Sequence, residues 1–198
     1  VDRKKQLINA VASGKIQAAS IGWLRSSQLM QDNDDSIRNT ARELFTVRDQ
    51  EKIIRDFQKA LDIKGNADSG RLVFEKNCAL CHQIRGEGGT AFGPDLGTVQ
   101  GWLSKDIMAN ILEPGLSIAV GFDVREVQLN NGETIQGIIA SETPGAITIK
   151  SAPGVEKTLN RQDIKSFTIL DMSLMPSFSQ QINHQQMADL IVFLQHMK

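Results

Sequence analysis

The sequence predicts a mainly helical fold that starts with a helical-repeat region and is interrupted by a small all-β insert of SH3-like size. Three observations carry this prediction. Amphipathic helical stretches fill the first 64 residues and return around positions 70 and 187, whereas Ile- and Val-rich runs between glycine turn signals fill residues 121–170. In addition, both cysteines of the chain lie in one short run, "NCALCHQ", at positions 77–83.

The composition and charge of the chain exclude two classes of binding partner. The 198-residue chain is 40% hydrophobic and has a net charge of −1 from 22 basic and 23 acidic residues, so neither nucleic acid nor an anionic membrane surface is expected as a partner. No run reaches the roughly 18 apolar residues of a membrane helix, and we predict no transmembrane segment. The start "VDRKKQLINA" has no initiator Met and no apolar signal region, so we expect a fragment or a processed product.

Residues 1–64 contain three or four amphipathic helical stretches with short polar breaks, including "DDSIRNTARELFT" and "DQEKIIRDFQKALDI". Asp34 or Asp35, and Asp49, are suitable N-caps for two of them. Consecutive helices of this kind are typical of the end of a helical solenoid, and we predict a HEAT-like repeat tail. Gly65 and Asn66 mark its end.

A helix is predicted to lead into the cysteine motif. Asp68 or Ser69 is placed to cap it, and its apolar residues continue through Phe74 to Cys78. Gly70 lies one turn before Phe74, where the missing side chain would let another helix approach closely.

Two later helices follow from their end signals. "WLSKDIMANILEP" predicts a helix that is capped by Ser104 and stops at Pro114. The final stretch "INHQQMADLIVFLQHM" has Asn183 as N-cap with Gln186 three residues later, which is a capping-box pattern.

Residues 121–170 alternate short β-type runs with the turn signals "NNGE", "TPG" and "APG". This pattern predicts a five-stranded antiparallel barrel or sandwich. The insert is small and poor in titratable clusters, so we expect it to cover a cofactor edge or to dock a partner. The runs are "FDVREVQL", "TIQGIIASE", "AITIKS", "VEKTL" and "IKSFTIL".

Cys78 and Cys81 admit several interpretations. No further cysteine exists, which excludes a disulfide framework, and a thioredoxin-like centre would need a strand before the motif. A zinc site formed with His82 would lack a fourth ligand nearby, because His184 and His196 lie about a hundred residues away.

Covalent c-type heme accounts for every residue of the motif. Cys78 and Cys81 have the spacing that forms thioethers to the two heme vinyl groups, and His82, next in sequence, is placed as the proximal iron ligand. We therefore predict one heme c per chain. Because bacteria attach this heme outside the cytoplasm, we expect an exported, periplasmic or cell-envelope protein.

The order of motifs resembles a known family, the heme-binding C-terminal region of planctomycete and verrucomicrobial membrane-bound dehydrogenase-like proteins. The resemblance runs over "FEKNCALCHQIRGEGGTAFGPDLGTV", "ILEPGLSIAVGF", "NGETIQGIIASET", "SLMPS" and "MADLIVFL". It implies a class I cytochrome c with a HEAT-like tail before it. In that family a β-propeller similar to sugar dehydrogenases commonly precedes these parts, so dehydrogenase activity would belong to another domain or subunit. The chain departs from the family at Phe122, where tyrosine is common.

The implied domain division has four parts. These are a HEAT-like tail over 1–64, a first cytochrome segment over 65–120, the β insert over 121–170, and the methionine loop with the last helix over 171–198.

The resemblance also implies two further site residues. In "GPDL", the carbonyl of Pro94 would accept a hydrogen bond from His82. In "SLMPS", Met175 would be the distal iron ligand, with Met172 as the alternative. Helix packing is expected to account for the other four methionines, which are Met30, Met108, Met187 and Met197.

These expectations point to an exported mono-heme module that is not itself an enzyme. It would transfer single electrons from a fused or partner dehydrogenase to a respiratory acceptor. An open distal position would instead indicate a heme-based gas or redox sensor, or a peroxidase-like enzyme. A pure helical-repeat scaffold would fit residues 1–64 but would leave the cysteine motif without a role.

Overall fold

A computed structural model of the chain describes residues 3–18, 21, 23–45, 50–152, 154–170 and 172–197. These residues form seven α-helices and one five-stranded antiparallel sheet, so the fold is mixed α/β. The chain divides into two compact units, and each is built from two separate stretches of sequence. Unit 1 comprises Val1–Arg48 and Asp123–Leu174, and unit 2 comprises Asp49–Phe122 and Met175–Lys198. Among the described residues, no α-helix combines the length and the apolar composition of a membrane-spanning segment.

The helices of unit 1 are α1 (Arg3–Ala12), α2 (Trp23–Met30) and α3 (Asp35–Phe45). Of the predicted caps, Asp34 holds the start of α3, because its Oδ1 accepts hydrogen bonds from the backbone N–H groups of Ser36 and Ile37. Asp35 instead pairs with Arg38. The other predicted cap, Asp49, lies outside the described residues. The helices share a core of Ile8, Leu29, Ile37 and Ala41.

The five predicted strands are confirmed. They are β1 (Val124–Leu129), β2 (Thr134–Glu142), β3 (Ala146–Ser151), β4 (Val155–Asn160) and β5 (Ile164–Leu170), in the spatial order β4-β3-β2-β1-β5. Gly132, with a φ of 87°, gives the turn between β1 and β2 its left-handed position. The buried face consists of Val127, Leu129, Ile147, Ile149 and Leu159.

Two successive side-chain hydrogen bonds join α3 to the sheet inside unit 1. Arg42 on α3 donates to Gln136 Oε1 on β2 over 2.8 Å, and Gln136 in turn donates to the carboxylate of Glu126 on β1. The helical tail and the β insert, predicted as separate segments, belong to one compact unit. The HEAT-like character of the tail stays a prediction.

Unit 2 contains α4 (Gln50–Phe57), α5 (Ala67–Asn77), α6 (Ser104–Leu112) and α7 (His184–Gln195), with short 3-10 helices at Gln58–Asp62 and Leu96–Val99. The predicted close approach at Gly70 is confirmed, because a Cβ atom built there would lie 2.0 Å from the carbonyl oxygen of Asp189 on α7. Helix α4, which the sequence analysis grouped with the tail, belongs to this unit.

The helix caps of unit 2 agree only in part with expectation. Asn66, rather than Asp68 or Ser69, caps α5, since its side chain accepts the backbone N–H of Ser69 over 2.9 Å. Ser104 is wrong as a cap: it is the first residue of α6, and Leu103 takes the cap position without a side-chain bond.

The predicted capping box on α7 is confirmed. Asn183 accepts from the backbone N–H of Gln186, and Gln186 accepts from that of Asn183, each over 2.9 Å. This reciprocal pair fixes the start of the helix that packs against α5.

Candidate cofactor site

The cysteine motif forms a tight turn directly after α5. The backbone N–H of Cys78 donates to Phe74 over 2.7 Å, and those of Cys81 and His82 both donate to the carbonyl of Cys78 over 3.0 and 2.9 Å. The turn therefore holds Cys78, Cys81 and His82 together on one short, hydrogen-bonded stretch of backbone. Both cysteines are free, Cys78 buried and Cys81 partly buried.

Burial keeps both thiols protonated. It raises the pKa of Cys78 to about 12, with a smaller contribution from neighbouring Cys81, and it raises the pKa of Cys81 to about 11. Redox-active CxxC pairs need the opposite, a lowered thiol pKa that supplies a thiolate. The environment of the motif thus disfavours a thioredoxin-like dithiol.

His82 is buried, with 7% of its surface exposed, and its ring is fixed by one hydrogen bond. Nδ1 lies 2.7 Å from the carbonyl oxygen of Pro94, which is the contact that the family resemblance implies. A carbonyl only accepts, so Nδ1 carries the proton and Nε2 keeps the lone pair that binds metals. Burial lowers the pKa of His82, opposed by the bond to Pro94 and by the charge of Asp95.

The loop after the motif lies along it through backbone hydrogen bonds. Gly93 donates to Cys81 over 2.6 Å, and Leu96 donates to Gln83 over 2.8 Å. A Cβ atom on Gly93 would come within 2.5 Å of the His82 ring, so only glycine fits against the imidazole there. The backbone at Gly93 therefore packs directly against one face of the His82 ring, and this contact is called the glycine cradle below.

Asp95 binds the loop to the turn that follows His82. Its Oδ1 accepts the backbone N–H groups of Arg85 (2.8 Å) and Gly97 (2.7 Å), and its Oδ2 accepts that of Gly86 (2.7 Å). The bond from Arg85 is the largest of the contributions that lower the pKa of Asp95. Asp95 is not among the predicted site residues, although an Asp placed just before a short helix is a common turn and cap signal.

Met175 contacts His82 and packs against the core of unit 2. Met172, the alternative, belongs to unit 1. The other methionines pack as expected: Met108, Met187 and Met197 are buried in the core of unit 2, and Met30 packs against the helical core of unit 1.

The two remaining histidines are engaged elsewhere. His184 bonds through Nε2 to the carboxylate of Asp56 over 2.9 Å and stands edge-on to Phe57, and Nδ1 of His196 bonds to the carbonyl of Val192 over 2.9 Å. Across the described part of the chain, no three His, Cys, Asp or Glu side chains are grouped to hold a metal ion. A zinc site at the cysteine motif would therefore lack its remaining ligands.

The donor set instead fits heme c. The two free thiols have the spacing that would bond the heme vinyl groups, and the neutral imidazole of His82 and the thioether in contact with it could both bind iron. The glycine cradle at Gly93 and the carbonyl of Pro94 hold the imidazole in a fixed orientation.

Comparison with known proteins agrees with this chemistry. Residues 67–168 match the family described as Cytochrome c, and the match covers just over half of the chain. The chain therefore belongs to the cytochrome c family, whose domains typically carry electrons rather than catalyse reactions. The matched region ends before Met175 and α7.

A "Cytochrome c-553-like" protein of Synechocystis sp. (strain ATCC 27184 / PCC 6803 / Kazusa) is similar over a shorter stretch. The two are 47% identical over 38 residues, which are 19% of this chain and 34% of that protein. The alignment thus spans about a third of the relative's length.

Proposed function

We propose that this chain is a mono-heme c-type cytochrome module that carries single electrons. Cys78 and Cys81 would anchor one heme c covalently, and His82 and Met175 would be its axial ligands. The observation that carries the proposal is the contact between His82 and Met175, with Nδ1 of His82 committed to the Pro94 carbonyl. Two donors of the right chemistry thus meet beside the two thiols.

When bound, heme c supplies a one-electron iron couple. The residues of the chain adjust that couple. The bond from Nδ1 of His82 to Pro94 makes Nε2 a better electron donor, which favours oxidised iron, whereas the thioether of Met175 favours reduced iron. The balance between these two ligands would set the reduction potential.

Packing holds the segment that follows Met175 in place. Phe178 is buried in the core of unit 2, and its backbone N–H donates to the carbonyl of Ile111 on α6 over 3.3 Å. Ile182, just before α7, is buried in the same core. Held in this way, Met175 would bind the iron together with His82, and no coordination position would be left open for a substrate.

The electron donor would be a dehydrogenase, fused to this chain or a separate subunit, and the acceptor a respiratory protein. This part of the proposal rests on the family resemblance in the order of motifs. It also includes an exported location at the cell envelope, because covalent heme attachment in bacteria takes place outside the cytoplasm. The HEAT-like tail and the β insert would then serve partner docking.

A ligand-binding test separates the carrier from a sensor or a peroxidase-like enzyme. The reduced protein is mixed with CO, and its absorption spectrum is followed over time. A carrier with Met175 in place reacts slowly, since CO must first displace the thioether. Immediate formation of a CO complex would show an open distal position and would contradict the proposal.

A further inference from the structure

The hydrogen bonds of Asp95 connect the two chain segments on either side of the His82–Pro94 pair. One is the turn Ile84–Glu87, closed by mutual backbone bonds of 2.9 and 3.1 Å between its ends. The other begins at Asp95 itself, the residue after Pro94. The carboxylate therefore binds the chain just downstream of His82 to the chain just downstream of its hydrogen-bond acceptor.

The turn needs such a partner. Arg85 has a left-handed φ of 54°, which is unfavourable for a residue with a side chain, and Gly86 follows with a φ of 81°. This conformation directs two successive backbone N–H groups towards one acceptor, and both are taken by Asp95. The guanidinium of Arg85 bonds elsewhere, to Gln100 Oε1 over 2.9 Å and to the Met197 carbonyl over 3.4 Å.

We propose that Asp95 is a positioning residue for His82. By holding the 84–87 turn against the loop, its carboxylate keeps the Pro94 carbonyl at hydrogen-bond distance from Nδ1 and so adjusts how strongly Nε2 donates to the iron. The inference rests on the proposed function, because it assigns to Asp95 a role in setting the reduction potential of the same heme.

Loss of Asp95 acts in one direction through two effects. A longer Nδ1–Pro94 bond weakens Nε2 as a donor, and removal of a negative charge near the site disfavours the oxidised iron. Both raise the reduction potential. The Nδ1 proton itself should also exchange with water faster, because the bond that protects it opens more often.

Three variants of the holoprotein distinguish the effect of the position of the Asp95 carboxylate from the effect of its negative charge. Asp95→Ala removes the charge and all acceptor atoms, and Asp95→Asn removes the charge but keeps one oxygen. Asp95→Glu keeps the charge but extends the side chain by one methylene. Asp68→Asn, on α5 in the same unit, is the matched control for charge, since the Asp68 carboxylate pairs with the side chain of Arg71.

Two quantities are measured for each variant. One is the reduction potential, and the other is the rate at which the His82 Nδ1 proton exchanges with water, followed by NMR in the reduced protein. For Asp95→Ala we expect exchange about tenfold faster, which is the effect of weakening about one hydrogen bond, and a higher potential. Asp95→Asn should lie between it and the parent. Asp95→Glu should also exchange faster, while Asp68→Asn stays at the parent rate. The proposal is overturned if exchange is unchanged in the Asn and Glu variants, or if Glu behaves as the parent and Asn as Ala.

These readouts also distinguish the inference from the proposed function. A parent protein without covalent heme or without a reversible one-electron couple would refute the proposed function. A parent with both, whose Asp95 variants match it in exchange rate, would refute the role of Asp95 alone. If Asp95→Ala yields no holoprotein, the Asn and Glu pair still decides between position and charge.

Discussion

Nδ1 of His82 lies 2.7 Å from the carbonyl oxygen of Pro94, twelve residues further along the chain. The bond assigns the proton to Nδ1 and leaves the lone pair of Nε2 for a metal ion. Two further features lie beside this bond. Gly93 packs against the His82 ring, and Asp95 binds the turn that follows His82. The orientation of the ring and the role of Nε2 as a metal donor both depend on this hydrogen bond.

Covalent attachment is expected to need at least one of the two cysteines. Cys78→Ala and Cys81→Ala should each keep one thioether, so denaturing gels should still stain for heme and intact mass should exceed the polypeptide by one heme. The double variant has no thiol left, because the chain has two cysteines, and its heme should be lost on denaturation. Heme staining that survives in the double variant, or a colourless parent that carries zinc, would refute the anchoring scheme.

The crossing of α5 and α7 depends on Gly70. Gly70→Ala should lower the free energy of unfolding of the holoprotein by about 1–3 kcal/mol, because the new Cβ would lie 2.0 Å from the Asp189 carbonyl and the helices would have to separate. Thermal or denaturant unfolding measures the loss. Gly101→Ala is the matched control, since a Cβ there meets no atom within 4 Å. Equal effects of the two changes would argue against close contact at Gly70.

Asp95 should make stability fall in acid. Its three backbone hydrogen bonds lower its pKa in the folded protein below the ordinary value of 3.8, so the folded state favours the ionised form. The stabilisation is complete above the unfolded pKa and is lost as pH falls through the folded one. The difference in unfolding free energy between the parent and Asp95→Asn should thus be constant from about pH 7 to 5 and shrink below about pH 4.

Gly101→Ala changes no titratable group and serves as the control for that series, and its profile should run parallel to that of the parent. A parent–Asn difference that grows as pH falls would mean that the carboxylate does not stabilise the folded state in its ionised form.

The β insert should be dispensable for heme attachment. All five strands belong to unit 1, whereas the cysteine motif belongs to unit 2. Replacing residues 121–170 with a short linker should leave the covalent heme in place and change mainly distal ligation or partner binding. Heme staining and the absorption spectrum report both. Failure of the shortened chain to acquire heme would show that the insert is part of the cytochrome fold.

Features set by neighbouring residues could be predicted from the sequence. The capping box of Asn183 and Gln186, the glycine turns between strands and the close approach at Gly70 each depend on local side chains or on their absence. The cap of α5 could not, because Asn66, Asp68 and Ser69 are all suitable caps and three-dimensional context selects Asn66.

Features that join distant segments could not be predicted. The placement of the N-terminal helices and the sheet in one unit involves the polar chain from Arg42 to Gln136 and Glu126, which are up to 94 positions apart. The role of Asp95 depends on a left-handed turn ten residues earlier. Neither leaves a periodic or spacing signal in the sequence.

Binding of the iron by Met175 is tested by the spectrum and reduction potential of Met175→Ala, measured beside those of Met172→Ala. The oxidised parent should be low-spin with the weak near-infrared sulfur-to-iron band. Met175→Ala should lose that band, lower the potential and bind CO at once, because the thioether that stabilises reduced iron is gone. Met172→Ala should keep the band and cost at most about 1–3 kcal/mol of stability. A band that survives in Met175→Ala would contradict axial ligation by His82 and Met175.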